Sequence, residues 1–169
     1  MICPVCSHDN IAGTDECAEC LASLAQDALP SPKTTAEHSI MTDSVLALGL
    51  PEPECVPLDT SAAEAVDRMR ARRFGYVLVT DEDGRLVGIF TERDVLYKIV
   101  GEVTDLASLP VARYMTRNPT SIPASATIAY ALHLQSVHGF RHIPVVDAAG
   151  RPLGVLSFRR IGEYIERIA

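Results

Sequence analysis

The 169 residues predict a mixed α/β (α+β) protein in which one β-α-β-β-α unit is written twice, behind a small metal-stapled segment. Three observations carry this expectation. The chain matches itself without a gap at an offset of 66 residues, from Pro53 against Pro119 to Ile99 against Ile165. Within that match, Gly88, Thr91 and Asp94 of "GIFTERD" fall opposite Gly154, Ser157 and Arg160 of "GVLSFRR". Finally, four of the five cysteines are crowded into "CPVC" and "CAEC" at the start of the chain. A self-match of this length marks a supersecondary unit rather than a solenoid turn.

Taken in order, the first element is the cysteine segment. Cys3, Cys6, Cys17 and Cys20 form two C-x-x-C pairs with ten residues between them. Each pair can present two thiolates to one ion, and together they can close a tetrahedral site. So short a segment cannot build a core and needs a staple. Two disulfides would also serve, but in a reducing compartment such pairs more often hold metal. Zinc is the expected ion and iron its competitor, because tetrahedral sulfur suits both. The stretch "CPVCSHDNIAGTDECAEC" resembles the short zinc ribbons of prokaryotic proteins, matching at Asn10 and Gly13. Ser7 stands where those ribbons usually carry glycine, and His8 is expected to face solvent rather than ligate. The ribbon is assigned to residues 1–24. Residues 25–43, with Pro30 and Pro32 among many small or polar residues, are expected to be a tether, helical at its start.

The first repeat is assigned to 44–104 and the second to 110–169. Each opens on a short extended piece, "CVPLD" or "SIPAS". A helix follows. Ser61 and Glu64 form a capping box ahead of Ala62, Ala65, Val66 and Met69, and Thr127 caps the matching helix with Ile128, Ala131, Leu132 and Gln135. The apolar runs "GYVLVT" and "RLVGIFT" are joined by "DEDG", and "HIPVVD" and "PLGVLS" by "DAAG". Asp and Gly in so short a loop argue for hairpins. A last helix is expected over 92–101 and again over 158–168.

Both copies resemble the cystathionine-β-synthase (CBS) domain, found in tandem as a Bateman module. The first carries the resemblance in "VPLDTSAAEAVDRMRARRFGYVLVTDEDGRLVGIFTERDV", the second in "YMTRNPTSIPASATIAYALHLQSVHGFRHIPVVDAAGRPLGVLSFRRI". The resemblance implies pseudo-twofold packing of the repeats, two clefts, and adenosine nucleotides as ligands. It places the ribose signature at Gly88, Thr91 and Asp94. Independently of any family, an ionised carboxylate can accept hydrogen bonds from both vicinal ribose hydroxyls. Thr91 and Asp94 also read as a plain helix cap. In the second copy Arg160 replaces the acceptor with a donor-only group beside Ser157, which suits an anion or marks a degenerate site. Basic residues for phosphate are implied at Arg141 and His142, and Val56, Tyr76 and Val77 at the remaining ligand positions.

Composition bounds the reading. Net charge is −7, with both signs interspersed, which removes the usual electrostatic footprint of nucleic-acid binding. Apolar runs are strand-length, short of a membrane span. The N-terminus lacks the basic and apolar regions of a signal peptide, so the expected location is cytoplasmic. No nucleophile lies beside an evident base, so the chain is not expected to be an enzyme; Cys55, His133 and His138 are given no chemistry. The expectation is a regulatory, dimeric sensor of AMP, ADP or ATP with structural Zn2+ and an unidentified protein target. Its rival is a ribbon adaptor for protein or nucleic acid, with the repeats as scaffold.

Overall fold

The computed structural model describes residues 1–25, 32–101 and 105–168. These contain five helices and two small sheets, in the order the repeat predicts. The first repeat runs β1 (Cys55–Pro57), α2 (Ala62–Arg72), β2 (Tyr76–Thr80), β3 (Leu86–Thr91), α3 (Glu92–Lys98). The second runs β5 (Ile122–Pro123), α4 (Ile128–His138), β6 (His142–Val146), β7 (Pro152–Ser157), α5 (Phe158–Ile168). Four elements lie outside that scheme: α1 (Thr35–Thr42), β4 (Thr116–Arg117) and two 3-10 turns, Val45–Leu48 and Val111–Arg113.

Both expected N-caps form, but the reciprocal half of the Ser61–Glu64 capping box does not, since the Glu64 carboxylate takes Arg68 instead. Ser61 and Thr127 are N-caps whose hydroxyls accept from the Glu64 and Tyr130 amides at 3.1 Å each. Asp81 and Asp147 close their hairpins alike, each carboxylate accepting from the Arg85 or Arg151 amide at 2.8 Å. The α2 helix ends with Arg73 in the left-handed region, and α4 ends with Gly139 there. The sheets are ordered β1-β2-β3-β4 and β5-β6-β7. In both, the first strand pairs in parallel with the second, as in Val56 against Val79 and Ile122 against Val145.

The described residues divide into two compact units: Met1–Leu50 with Ala124–Ile143 and Leu156–Ala169, and Pro51–Pro123 with Pro144–Val155. In the second unit, Val56, Ala65, Met69, Val77, Val79, Phe90 and Met115 form the core beneath α2. With no tryptophan in the chain, branched aliphatics and one fully buried phenylalanine, Phe90, supply its volume.

One feature of each unit escapes a reading of the repeat as self-contained. Residues at the boundary where each repeat begins bond to the helix start of the other repeat. In one unit the Val45 amide donates to the Ala126 carbonyl (2.9 Å), and the Ile128 amide to the Asp43 carbonyl (3.1 Å). In the other, Val111 donates to Thr60 (2.7 Å) and Ala62 to Leu109 (2.7 Å). These bonds match one another at the same offset of 66, so the internal repeat begins earlier than the side-chain identities do. The α1 helix continues the same exchange: it packs on α4 and α5. It lies in the second half of the expected tether, held by a capping box of Thr34 and Glu37. Residues 21–25 are not helical, and the rest of the helical start expected for that tether lies outside the described residues.

Candidate functional sites: a four-cysteine knuckle and a buried carboxylate

The N-terminal segment consists of two loops of one design. Cys3 donates its amide to His8 O and accepts from Ser7 N; Cys17 donates to Ala22 O and accepts from Leu21 N. Each loop needs a left-handed residue at its turn, Ser7 (φ 62°) and Leu21 (φ 59°). That requirement explains why related ribbons carry glycine at the first position. Asn10 joins the loops. Its amide donates to His8 O (3.0 Å) and Cys17 Sγ (3.4 Å), and its carbonyl accepts from Ala18 N (2.9 Å).

The four sulfurs lie within 4.8 Å of one another, with Cys3–Cys20 at 3.7 Å and Cys6–Cys17 at 3.5 Å. A zinc–sulfur bond of about 2.3 Å puts tetrahedral sulfurs about 3.8 Å apart, so the cluster is sized for one such ion. The thiols differ in electrostatics. Burial pushes Cys6 up to about 11 and raises Cys20 further. Burial also opposes ionisation of Cys17, but the Cys20 amide and the Asn10 side chain outweigh it and bring Cys17 down to about 6. The Cys17 thiolate is thus stabilised by the protein, and a cation is what would hold Cys6 and Cys20 ionised. His8 takes no part; its side chain is exposed and its carbonyl serves Cys3 and Asn10.

The second site is at the β3–α3 junction. Thr91 is the N-cap of α3 and Asp94 its third residue, and the reciprocal capping box is complete. Asp94 Oδ2 accepts from Thr91 N (2.9 Å) and Thr91 Oγ1 (2.7 Å). Asp94 is 6% exposed, and its other oxygen meets Lys98 Nζ at 2.6 Å. Lys98 also donates to the Tyr114 carbonyl at 2.7 Å. Sequence reasoning missed Lys98; the i, i+4 spacing to Asp94 was its only signal. Gly88 has a packing reason of its own, since a Cβ there would lie 2.2 Å from Met115 Sδ.

The remaining predicted positions divide as follows. Val56 and Val77 are fully buried in the core under α2. Tyr76 is 5% exposed, packs with Leu78, Ile89 and Val155, and stacks on Phe74 at 5.3 Å. In the other unit, Arg160 is half-buried and pairs with Glu163 at 2.9 Å, a carboxylate that also takes Arg159. Ser157 and His142 are half-buried and Arg141 is exposed. Cys55 is also half-buried; burial and then Glu54 and Glu52 raise its thiol to about 11, leaving it protonated and unreactive. Beside the carboxylate site, Val66, Met69, Phe74, Val95 and Leu96 line an apolar groove of about 590 Å³, edged by Arg70, Arg73 and Glu92. No helix of the described residues is long and apolar enough to cross a membrane.

Comparison with known proteins agrees with this geometry. The CBS domain family profile matches residues 38–101 and 111–167. A CBS domain-containing protein of Arabidopsis thaliana is 37% identical over 130 residues, 72% of this chain and 24% of that protein. The chain therefore spans about a quarter of that relative. The crystal structure of a CBS-domain protein from Agrobacterium tumefaciens is 31% identical, with a TM-score of 0.60 over 67% of this chain and 84% of that one. A CBS domain protein of Pyrobaculum aerophilum, solved in complex with AMP, is 25% identical, with a TM-score of 0.64 over 69% and 88%. Two matched segments, two sheets of one design and a repeat exchanged at both ends lead to one conclusion: the chain belongs to the CBS domain family, as a tandem pair behind a four-cysteine ribbon.

Proposed function

We infer that this chain is a regulatory protein that binds an adenine nucleotide (AMP, ADP or ATP) at the Thr91–Asp94 site, with zinc as the ion of the ribbon. The observation that carries the reading is the buried Asp94 carboxylate, fixed by its own cap at a strand-to-helix junction. Its position is the one that resemblance to CBS pairs assigns to ribose, and a relative 25% identical is known in complex with AMP. In the other unit, Arg141, His142, Ser157 and Arg160 are kept as proposed contacts for an anion. Binding would regulate only if the ligand prefers one arrangement of the module. The apolar groove, with exposed Leu96, Tyr97 and Val100 nearby, supports a homodimer. No catalytic role is assigned, and the reading is of a cytoplasmic protein.

The test is calorimetry with adenosine, AMP, ADP, ATP and S-adenosylmethionine. Asp94→Ala is expected to weaken the best nucleotide by ~1.5–3 kcal/mol, the scale of hydrogen bonds to a charged group. Unchanged affinity, in a variant that melts like the parent without ligand, would leave Thr91 and Asp94 as a helix cap alone.

A further inference from the structure

We propose that the chain has a second input beside its nucleotide: the metal state of the ribbon is transmitted to α4 of the second repeat. Three contacts within one unit carry this. The His133 ring nitrogen Nε2 hydrogen-bonds the carbonyl of Cys20. Thr127 Oγ1, the N-cap of α4, donates to the carbonyl of Val5 at 3.3 Å. Tyr130 packs on the buried cluster of Cys3, Cys17, Cys20, Ala22 and Leu24.

These contacts are informative because of the atoms they use. Val5 lies between Cys3 and Cys6, and Cys20 belongs to the sulfur cluster itself. Their carbonyls are therefore placed by the two loops, and the loops are placed by four converging sulfurs. Apart from the Cys55 thiol, which is distant in sequence, every cysteine of the chain is committed to this one device. A two-loop segment with so small a core depends on its ion for its shape. Without the ion, nothing fixes the two carbonyls where Thr127 and His133 meet them.

The repeat supplies an internal comparison. At the offset of 66, Thr127, Tyr130 and His133 correspond to Ser61, Glu64 and Asp67 of α2. On α2 Glu64, paired with Arg68, and Asp67 are exposed; on α4 the corresponding Tyr130 and His133 are half-buried and touch the ribbon. The substitution of a ring and an imidazole for two carboxylates is thus matched to the docked ribbon and to no need of the helix. By linkage, a metal that tightens α4 must itself be held more tightly when α4 is intact.

The inference rests on the cysteines holding a metal, and the experiment separates the two ideas. Metal content of the reduced 169-residue chain is measured first, and hydrogen exchange is then followed in the zinc-loaded and chelator-stripped forms. We expect one zinc per chain, about tenfold or faster exchange in residues 128–138 after stripping, and little change in residues 62–72. His133→Ala should lower zinc affinity several-fold against a chromophoric chelator, while His138→Ala, on the exposed side of α4, should not. A chain that holds no metal overturns the metal reading and this inference together. One zinc per chain, with α4 exchange unchanged on stripping and His133→Ala binding zinc like the parent, overturns this inference alone.

Discussion

Asp94 and Lys98 show how a helix cap can be read from the sequence while its ion pair goes unread. The Thr91-x-x-Asp94 spacing gave both members of the cap, the same two side chains proposed above as the ribose acceptor. Lys98 was not legible, since a lysine one turn after an aspartate is common on any exposed helix. Yet its ammonium holds one carboxylate oxygen and offsets its charge. A phosphate near Asp94 would meet an uncompensated anion without it. Lys98→Met is therefore expected to lower the preference for AMP over adenosine about fivefold at low salt, and less at high salt. Calorimetry on the two ligands measures this, and an unchanged ratio would confine Lys98 to anchoring the Tyr114 carbonyl. Ser7 teaches the same lesson from the other side. Its departure from glycine was visible in the sequence, but the reason, a left-handed turn at φ 62°, needed the structure.

At the level of strands and helices, the hydrophobic runs, caps and Asp-Gly hairpins placed ten elements of the repeats within a few residues. What they could not place was the exchange of segments between repeats. That exchange is made by backbone bonds such as Val45 to Ala126 and Val111 to Thr60, which leave no side-chain signature. The α1 helix was hidden for a related reason: it has no fully buried residue and so no strong apolar stripe. Docking of the ribbon on α4 was written in Tyr130 and His133, but only comparison with Glu64 and Asp67 gives those letters a meaning. Gly88 tests the packing of one such exchanged segment. Its Cβ would displace Met115, which follows the turn at Val111–Arg113 and precedes β4. Gly88→Ala is expected to cost ~1–3 kcal/mol in denaturant unfolding. In the Gly88→Ala/Met115→Ala double variant, the loss should be smaller than the sum of the single losses. Additive losses would mean that the sulfur moves aside freely.

The whole molecule is a symmetric plan made asymmetric in its chemistry. One repeat keeps a capped carboxylate at the position proposed for ribose, and the other replaces it with a guanidinium already paired to Glu163. One carries α2 with Glu64 and Asp67 exposed, and the other carries α4 with a cysteine ribbon on it. On this account the first repeat supplies the nucleoside site, and the second supplies the metal-dependent input and no second nucleoside site. Donor-only Arg160 cannot receive ribose hydroxyls, so the duplicated position should not take a second nucleoside. Titration of the zinc-loaded chain with AMP, alongside Arg160→Asp, tests this most directly. The account predicts saturation near one nucleotide per chain, and a second, weaker event once Arg160→Asp restores the acceptor beside Ser157. Two equal sites in the parent chain, or no binding at all, would contradict it.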